Sequence, residues 1–508
     1  MSESRLSRPY VYGLDLRSIG LFRIAAGLTM LLDVLFFKLP AVREIYSPVG
    51  FFKNYYADLA TADPARPFYL NLFHALGSET GVRIFFVLCG IIYLLYAMGL
   101  CTRLLAPLSF LLFSMIRQSN PLLQLTPDLW FLFMLFFAMF LPQGDRFNFF
   151  RRGKPTAGDN ECRSFPAFAL LAAVALVYFT NGYTKLGGDW FTGEALRSFV
   201  LVPTTQNVGS QWLAKQPTLL VIFEYATVLW ELLVPAMLFL PWFNRPLRLL
   251  TAATIIAFHY GNLPFIFPGY YCIVATCVAA ILLPDTLWDR LPFARASVNT
   301  ESARPPAFSE LSRSWKVALV FRAILLSLAI SVSLLVNLDK LPPRLGLAEE
   351  PWGTKDAIIA KRGDFVKIFR GVELFNFLIW EHAYYPHKGP QVQMNLVVFG
   401  RDEHGLDWNL VTGDPPIKAY WGPTPDYQRP LFSLHRGAYF NPAPFKHYKI
   451  FDRWLERIVW EWNEQHPHQK IVAADLGRIQ LDASKDTDEQ WLGIEILADW
   501  QEVAGREN

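Results

Sequence analysis

The sequence predicts a membrane all-α bundle of about nine transmembrane helices, followed by a C-terminal extracytoplasmic α+β domain that is mostly β. Three observations point there. Of 508 residues, 53% are hydrophobic and 18% charged, whereas soluble chains usually carry about a quarter charged residues. The apolar residues crowd into blocks between residues 18 and 336, and the rest reads like an aqueous sequence. Lysines and arginines gather between alternate blocks, as they do on the cytoplasmic side of membrane proteins. The expected division is a transmembrane domain over 1–340 and a soluble extracytoplasmic domain over 341–508. A net charge of +3, with no basic stripe, excludes nucleic acid as a partner class.

A crossing helix needs about 20 mainly apolar residues. The first block, Ile19 to Phe37, follows Arg5, Arg8 and Arg17 and lacks a small-residue cleavage site, so it reads as an uncleaved span. The predicted spans are 18–38, 82–100, 103–117, 128–142, 166–183, 219–240, 248–262, 269–284 and 317–336. The third and seventh are short, which makes one of them a candidate re-entrant segment. Pro121, Pro127, Pro142, Pro166, Pro203, Pro217, Pro241 and Pro268 fall at or between the proposed ends, where proline is tolerated.

With the N-terminus in the cytoplasm, the inside segments hold Arg5, Arg8 and Arg17, then Arg103, then Arg146, Arg151, Arg152, Lys154 and Arg163. Arg245 and Arg248 follow, and then Arg290, Arg295, Arg304, Arg313 and Lys316. The short outside loop 263–268 has no basic residue; the outside segment 39–81 carries several, but it is long enough to weaken the rule. These clusters agree on one topology, with the C-terminus outside.

A Pro- and Ser-containing linker, 285–316, precedes the last span. Beyond residue 340 the pattern changes. Val392 to Phe399 alternates as a strand, and Asp402 to Gly405 reads as a hairpin turn. Phe445 to Gln465 reads as an amphipathic helix bearing Trp454, Trp460 and Trp462, and a further strand is expected near Lys470 to Leu481. None of the cysteines Cys89, Cys101, Cys162, Cys272 and Cys277 lies beyond residue 277, so no disulfide is expected in the outer domain. Cys272 and Cys277 lack metal-ligand spacing. His382 with His387, and His466 with His468, have no Cys or carboxylate cluster near them, so no metal site is expected.

Ionisable groups are costly inside a bilayer and are therefore candidate functional residues. The spans hold Arg23 and Asp33 in the first, Glu224 and Glu231 in the sixth, and His259 with Asn262 in the seventh. Glu224 and Glu231 are seven apart and share a helix face, as do His259 and Asn262, three apart. Each could equally be an internal hydrogen bond that fixes helix packing.

The most informative stretch is Tyr178 to Leu196, YFTNGYTKLGGDWFTGEAL, where a span ends. If the segment is helical, Lys185 and Asp189 form an i,i+4 pair. Gly182, Gly187, Gly188 and Gly193 allow tight turns. Lys185 is either an interfacial lysine reaching the headgroups beside the belt residue Trp190, or a lysine held in an apolar pocket as a neutral amine able to act as a base. The spacing does not choose between them.

This stretch resembles the vitamin K-dependent gamma-carboxylase family and its bacterial relatives, the HTTM (horizontally transferred transmembrane) domain proteins. The family pattern is matched by Tyr178, Phe179, Gly182, Lys185, Leu186, Asp189, Trp190 and Gly193. Arg17-Ser-Ile-Gly-Leu-Phe-Arg23 with Asp33 resembles the family's first span, and Phe258-His259-x-x-Asn262 its later Phe-His-x-x-Asn element. The resemblance runs over roughly residues 15 to 285 and implies a bacterial inner-membrane protein.

In the family a lysine deprotonates a reduced quinone of the vitamin K or menaquinol type, which reacts with O2 to give the epoxide. The strong base so formed removes a γ-proton from a glutamyl side chain, which captures CO2. The resemblance therefore implies Lys185 as the catalytic base. It also implies a quinone or substrate pocket from His259, Asn262, Asp189, Trp190, Asp128, Glu231 and Glu224. Reduced quinone, O2 and CO2 would be consumed, no metal is implied, and the partners are membrane lipid and a secreted protein or peptide substrate. The animal enzymes carry an Asn-His pair ahead of the fourth span. This chain has Thr126-Pro127-Asp128 there, as the bacterial relatives do, and Asp128 is either a polar substitute or a helix cap. No substrate-docking region of the animal type is legible after residue 340. The quinol half-reaction is thus implied more strongly than carboxylation.

Two other functions stay open. One is a non-catalytic quinone- or lipid-binding scaffold that presents the outer domain to a partner. The other is a transporter relaying protons through Glu224, Glu231 and His259, against which stand the lack of paired broken helices and of an inverted repeat.

Overall fold

The computed structural model describes residues 12–47, 50–52, 76–118, 126–150, 160–186, 190–201, 207–266, 271–292, 312–338, 392–410, 447–482 and 491–501. Several expectations fall outside these residues. They concern Gly187, Gly188 and Asp189, His382 and His387, the basic residues Arg5, Arg8, Arg151, Arg152, Lys154, Arg295 and Arg304, the prolines Pro121, Pro203 and Pro268, and most of the 285–316 linker.

Strand β1 (Gly13–Asp15) pairs antiparallel with β2 (Glu161–Arg163). Asp15 then caps helix α1 (Leu16–Asp33) by accepting the N–H of Arg17 at 2.8 Å. The helix widens into a π-turn over Val34–Lys38, and a second π-turn follows at Val42–Tyr46. The i to i+5 bonds that define them run from Leu39 N–H to Val34 O at 2.9 Å and from Ser47 N–H to Val42 O at 2.7 Å.

The bundle continues with α2 (Glu79–Met98), α3 (Thr102–Gln118), α4 (Thr126–Ala138) and α5 (Phe165–Thr184). Two short helices, α6 (Glu194–Val200) and α7 (Ser210–Ala214), lead to α8 (Pro217–Phe239), α9 (Asn244–Gly261), α10 (Tyr271–Leu282), α11 (Asp285–Trp288) and α12 (Arg313–Leu338).

Every predicted span coincides with a helix, but nine crossings are not supported. Among the described residues four helical segments are long and apolar enough to cross: Leu16–Lys38, Glu79–Met98, Phe165–Thr184 and Pro217–Phe239. The physical reason is length and composition. The apolar helices Pro127–Ala138 and Tyr271–Leu282 are too short for a layer that needs about 20 residues. α9 has Asn244, Arg245 and Arg248 in its first turns.

α1 packs on α2 and α10, α5 on α8 and α4, and α9 on α10. α1 and α2 come close at Gly27, where a Cβ would stand 2.7 Å from that of Ala97. Outward faces stay apolar: Ile84, Val87, Leu88 and Ile91 on α2, and Ile222, Phe223, Leu229 and Leu233 on α8, are exposed. Such stripes suit lipid tails.

One end of the bundle is knotted by arginines. Arg23, fully buried, donates to the carbonyls of Ala97, Gln143, Arg146 and Phe147 at 2.5 to 3.2 Å. These four bonds close carbonyls left open at the end of α2 (Ala97) and in the turns after α4 (Gln143, Arg146 and Phe147). Arg17 pairs with Asp15 and Asp289 at 2.7 and 2.9 Å, Arg245 with Asp285 at 2.7 Å, and Arg248 donates to Gly13 O at 2.6 Å. Arg17, Arg146, Arg245 and Arg248 are among the residues expected to collect on one side. They do so here as a structural cap, and Arg23 belongs to it.

The C-terminal part holds an antiparallel sheet of order β4-β3-β5-β6, built from β3 (Val392–Asp402), β4 (Asp407–Asn409), β5 (Ile471–Asp482) and β6 (Trp491–Gln501). Helix α13 (Ile450–Gln465) lays Phe451, Trp454, Leu455 and Val459 into the core beside Leu476 and Leu497. The expected hairpin turn forms around Asp402, which accepts the N–H groups of His404 and Leu406 at 2.9 and 2.8 Å and Trp408 Nε1 at 2.9 Å. Strand β6 was not foreseen. α13 also touches the bundle away from the arginine knot: Arg453 donates to the carbonyl of Phe51, and Arg457 lies 4.0 Å from Glu44.

Candidate functional site

The inward polar residues form two clusters at the end of the bundle remote from the arginine knot. The first is built on α5 and α8. α5 starts with Ser164 capping the N–H of Ala167 and Pro166 in its first turn, and it ends at Thr184 with Lys185 as C-cap. Lys185 is 4% exposed. Its Nζ donates to Glu231 Oε1 at 2.7 Å and Oε2 at 2.6 Å, and it sits 5.2 Å from the ring centroid of Trp190, which is itself buried. The side chain is enclosed by protein and ion-paired, which removes the interfacial alternative. The Asp189 partner expected at i+4 lies outside the described residues; among those described, Glu231, 46 positions on, pairs with Lys185.

α5 and α8 meet closely because Gly182 has no side chain: a Cβ there would lie 2.9 Å from that of Glu231 and 3.1 Å from the backbone N of Leu232. Glu224 and Glu231 do share a face, as their spacing predicts, but they do different work. Glu224, fully buried, accepts the backbone N–H groups of Phe191, Gly193 and Leu196 at 2.8, 2.7 and 2.8 Å. It thereby satisfies donors at the start of α6 and fixes the turn that carries Trp190 over Lys185.

His259, on α9, is brought to Tyr178 of α5, with Nε2 3.5 Å from the phenol oxygen. The imidazole stacks on Trp130 at 5.4 Å and on Tyr271 at 6.2 Å between centroids. Tyr178 in turn meets Trp230 edge-on at 5.0 Å, and Trp230 stacks on Phe258 at 4.7 Å. Lys185 is near enough to act electrostatically on His259, and Glu231 on Tyr178. The lysine, its carboxylate and the aromatic box are thus one neighbourhood. Two buried indole donors, Trp130 Nε1 and Trp230 Nε1, have no acceptor among the described residues. Asn262 is the C-cap of α9, and its carbonyl accepts Phe265 and Ile266 N–H at 2.9 and 2.8 Å.

Asp128 belongs to the second cluster. It lies in the first turn of α4 and acts electrostatically on Lys38 and Arg117. Lys38 Nζ is 3.5 Å from Asp33 Oδ1 and 5.7 Å from the ring centroid of Tyr46. The π-turn explains the Asp33–Lys38 contact, since residues five apart face each other only where the helix widens to i,i+5. Sequence reasoning named Tyr178 only as part of the family pattern and missed Trp130, Trp230, Tyr271, Lys38, Tyr46 and Arg117. Lys38 and Arg117 sit at predicted span ends, where cations are ordinary. The aromatic residues look like any others in an apolar run.

A bundle with four crossing-length helices, lipid-suited outer faces and an ion pair sealed within it defines an integral membrane protein. The family model of the HTTM domain matches residues 12–285, more than half of the 508 residues. The chain belongs to the HTTM domain family. No curated protein and no solved structure matches it.

Proposed function

We propose that the protein is a quinol-oxidising membrane enzyme of the vitamin K-dependent gamma-carboxylase type, with Lys185 as its base. The observation that carries this is the sealed Lys185–Glu231 pair beside an aromatic box with two unanswered indole donors. The residues suit the chemistry of a quinol ring: flat aromatic faces from Trp130, Tyr271 and Trp230, and N–H donors for its oxygens. When bound, the reduced ring supplies two electrons for reaction with O2, giving the epoxide by the family resemblance.

The chain's own part is proton handling. In a dry site the proton shared by Lys185 Nζ and Glu231 moves between them at little cost, because the neutral pair avoids burying two charges. With that proton on Glu231, Lys185 Nζ presents a lone pair and accepts a proton from a quinol hydroxyl. Trp190 covers the amine and, anchored through Glu224, keeps water away. His259 and Tyr178 orient the ring oxygens. Carboxylation of glutamate in a secreted polypeptide, with CO2 consumed, is an extension that rests on resemblance alone. We place the arginine-capped end in the cytoplasm and the outer domain across a bacterial inner membrane, on the positive-inside rule.

A second reading has its own support. Two carboxylate contacts of 2.6 and 2.7 Å on one ammonium also suit a pair that only locks α5 to α8, leaving a quinone- or lipid-binding scaffold. The test is reduced menaquinone or vitamin K hydroquinone, with O2, added to the protein in nanodiscs. Epoxide from wild type and none from Lys185→Ala is expected. Folded wild type without epoxide leaves the scaffold reading.

A further inference from the structure

We propose that the cluster of Asp33, Lys38, Tyr46, Arg117 and Asp128 is a second binding site, which takes the carboxylate of a monoanionic ligand on Arg117. Lys38 is matched by Asp33 at 3.5 Å and by the Tyr46 ring. Arg117, on the last turn of α3, is 8% exposed, and its Nε is buried with no hydrogen-bond partner. Asp128 acts on Arg117 electrostatically, but no hydrogen bond joins them among the described residues. A buried guanidinium N–H without an acceptor is costly, so a site that retains one at Nε is suited to an incoming oxygen pair.

The chemistry of that ligand follows from shape and charge. The planar fork of arginine matches a carboxylate through two parallel N–H bonds. The cluster holds two cations, Lys38 and Arg117, and two carboxylates, Asp33 and Asp128. These charges balance, so every added negative charge is uncompensated, and a monoanion held by the arginine fork is favoured over a phosphate dianion. The two π-turns beside it, Val34–Lys38 and Val42–Tyr46, are the kind of helix irregularity that proteins keep at functional positions.

The site is separate from Lys185 yet adjacent to its neighbourhood. Asp128 and Trp130 are two residues apart on α4, and Trp130 stacks on His259. The proposal does not depend on quinol chemistry. The carboxylate is borne either by a lipid or by a water-soluble acid, and the probes separate the two.

The experiment is equilibrium binding of radiolabelled oleate and of radiolabelled butyrate to the full chain in nanodiscs. Saturable binding of one probe is expected, weakened at least about tenfold by Arg117→Gln and by a smaller factor by Arg117→Lys, which keeps the charge and loses the fork. Oleate alone identifies a lipid-borne carboxylate, and butyrate alone a water-borne one. No saturable binding of either probe to folded wild type overturns the proposal, as does affinity that both substitutions leave unchanged. If Arg117→Gln does not fold, Arg117→Lys decides, and wild-type affinity in that variant overturns the proposal.

Discussion

Replacing Glu231 by Gln keeps the shape of the side chain and removes its charge. Lys185 would then lie 4% exposed with an amide where both carboxylate oxygens stood at 2.6 and 2.7 Å. Coulomb attraction at such a separation is about 6 kcal/mol at an effective dielectric of about 20, and breaking a buried pair from one side typically costs about 3–5 kcal/mol. Removing both charges with well-packed replacements, Lys185→Met with Glu231→Leu, is expected to fall within about 2 kcal/mol of wild type. Lys185→Met and Glu231→Leu made singly would each lose about as much as Glu231→Gln, roughly 6–10 kcal/mol together, so the double-mutant cycle has a large coupling to detect. Unfolding of the purified protein in mixed micelles titrated with denaturing detergent measures all four corners. Single losses below about 1 kcal/mol that simply add would mean a solvated pair. The reasoning about a sealed base would then be wrong.

Three further outcomes are expected. Gly182→Ala drives a methyl to 2.9 Å from Cβ of Glu231; it should cost about 1–3 kcal/mol by overpacking and disturb the Lys185–Glu231 pair, read as lost thermal stability. Glu224→Ala strips the acceptor from three backbone N–H groups, at a cost of about 3 kcal/mol or more, and amide exchange at Phe191, Gly193 and Leu196 should speed up while exchange in α2 stays as it was. In the outer domain, burial opposes the charge on Asp402, but the bonds from Trp408 Nε1, Leu406 N–H and His404 N–H outweigh it and hold its carboxyl below the usual range. The sign follows: Asp402 contributes stability above the ordinary aspartate value of about 3.9 and loses it as pH falls through the lower folded value. Trp408 fluorescence should therefore hold steady down to about pH 4 and change only below that, whereas Asp402→Asn should remove this acid step.

How much of this was legible depended on whether a neighbour in sequence or a neighbour in space set the structure. Helix positions followed from apolar blocks and their proline and serine boundaries, because Ser164 and Pro166 act within their own first turn. The number of crossings did not, since a block of 12 apolar residues such as Tyr271–Leu282 looks like part of a span until its real ends are known. The shared face of Glu224 and Glu231 was readable from their spacing, and their partners were not. Lys185 finds Glu231 46 residues away, and nothing local says so. Strand β6 alternates Leu492, Ile494, Ile496, Ala498 and Trp500, a signal that was present and passed over. The Tyr178–His259–Trp130 box required the packing of α4, α5 and α9, which no single segment encodes.

The π-turn at Val34–Lys38 has a consequence for how this chain tolerates change in length. A π-turn holds a surplus residue relative to the α-helix it interrupts. Deleting one residue between Asp33 and Lys38 would let the segment relax into an ordinary helix and shorten the pair from five apart to four. Lys38 and Tyr46 both lie beyond the deletion and would keep their place relative to each other, so the change would fall on the spacing between Asp33 and Lys38. No amino acid in the cluster would have been exchanged, yet Lys38 would no longer meet Asp33 across a widened turn. The geometry of the cluster is thus written in chain length as much as in residue identity.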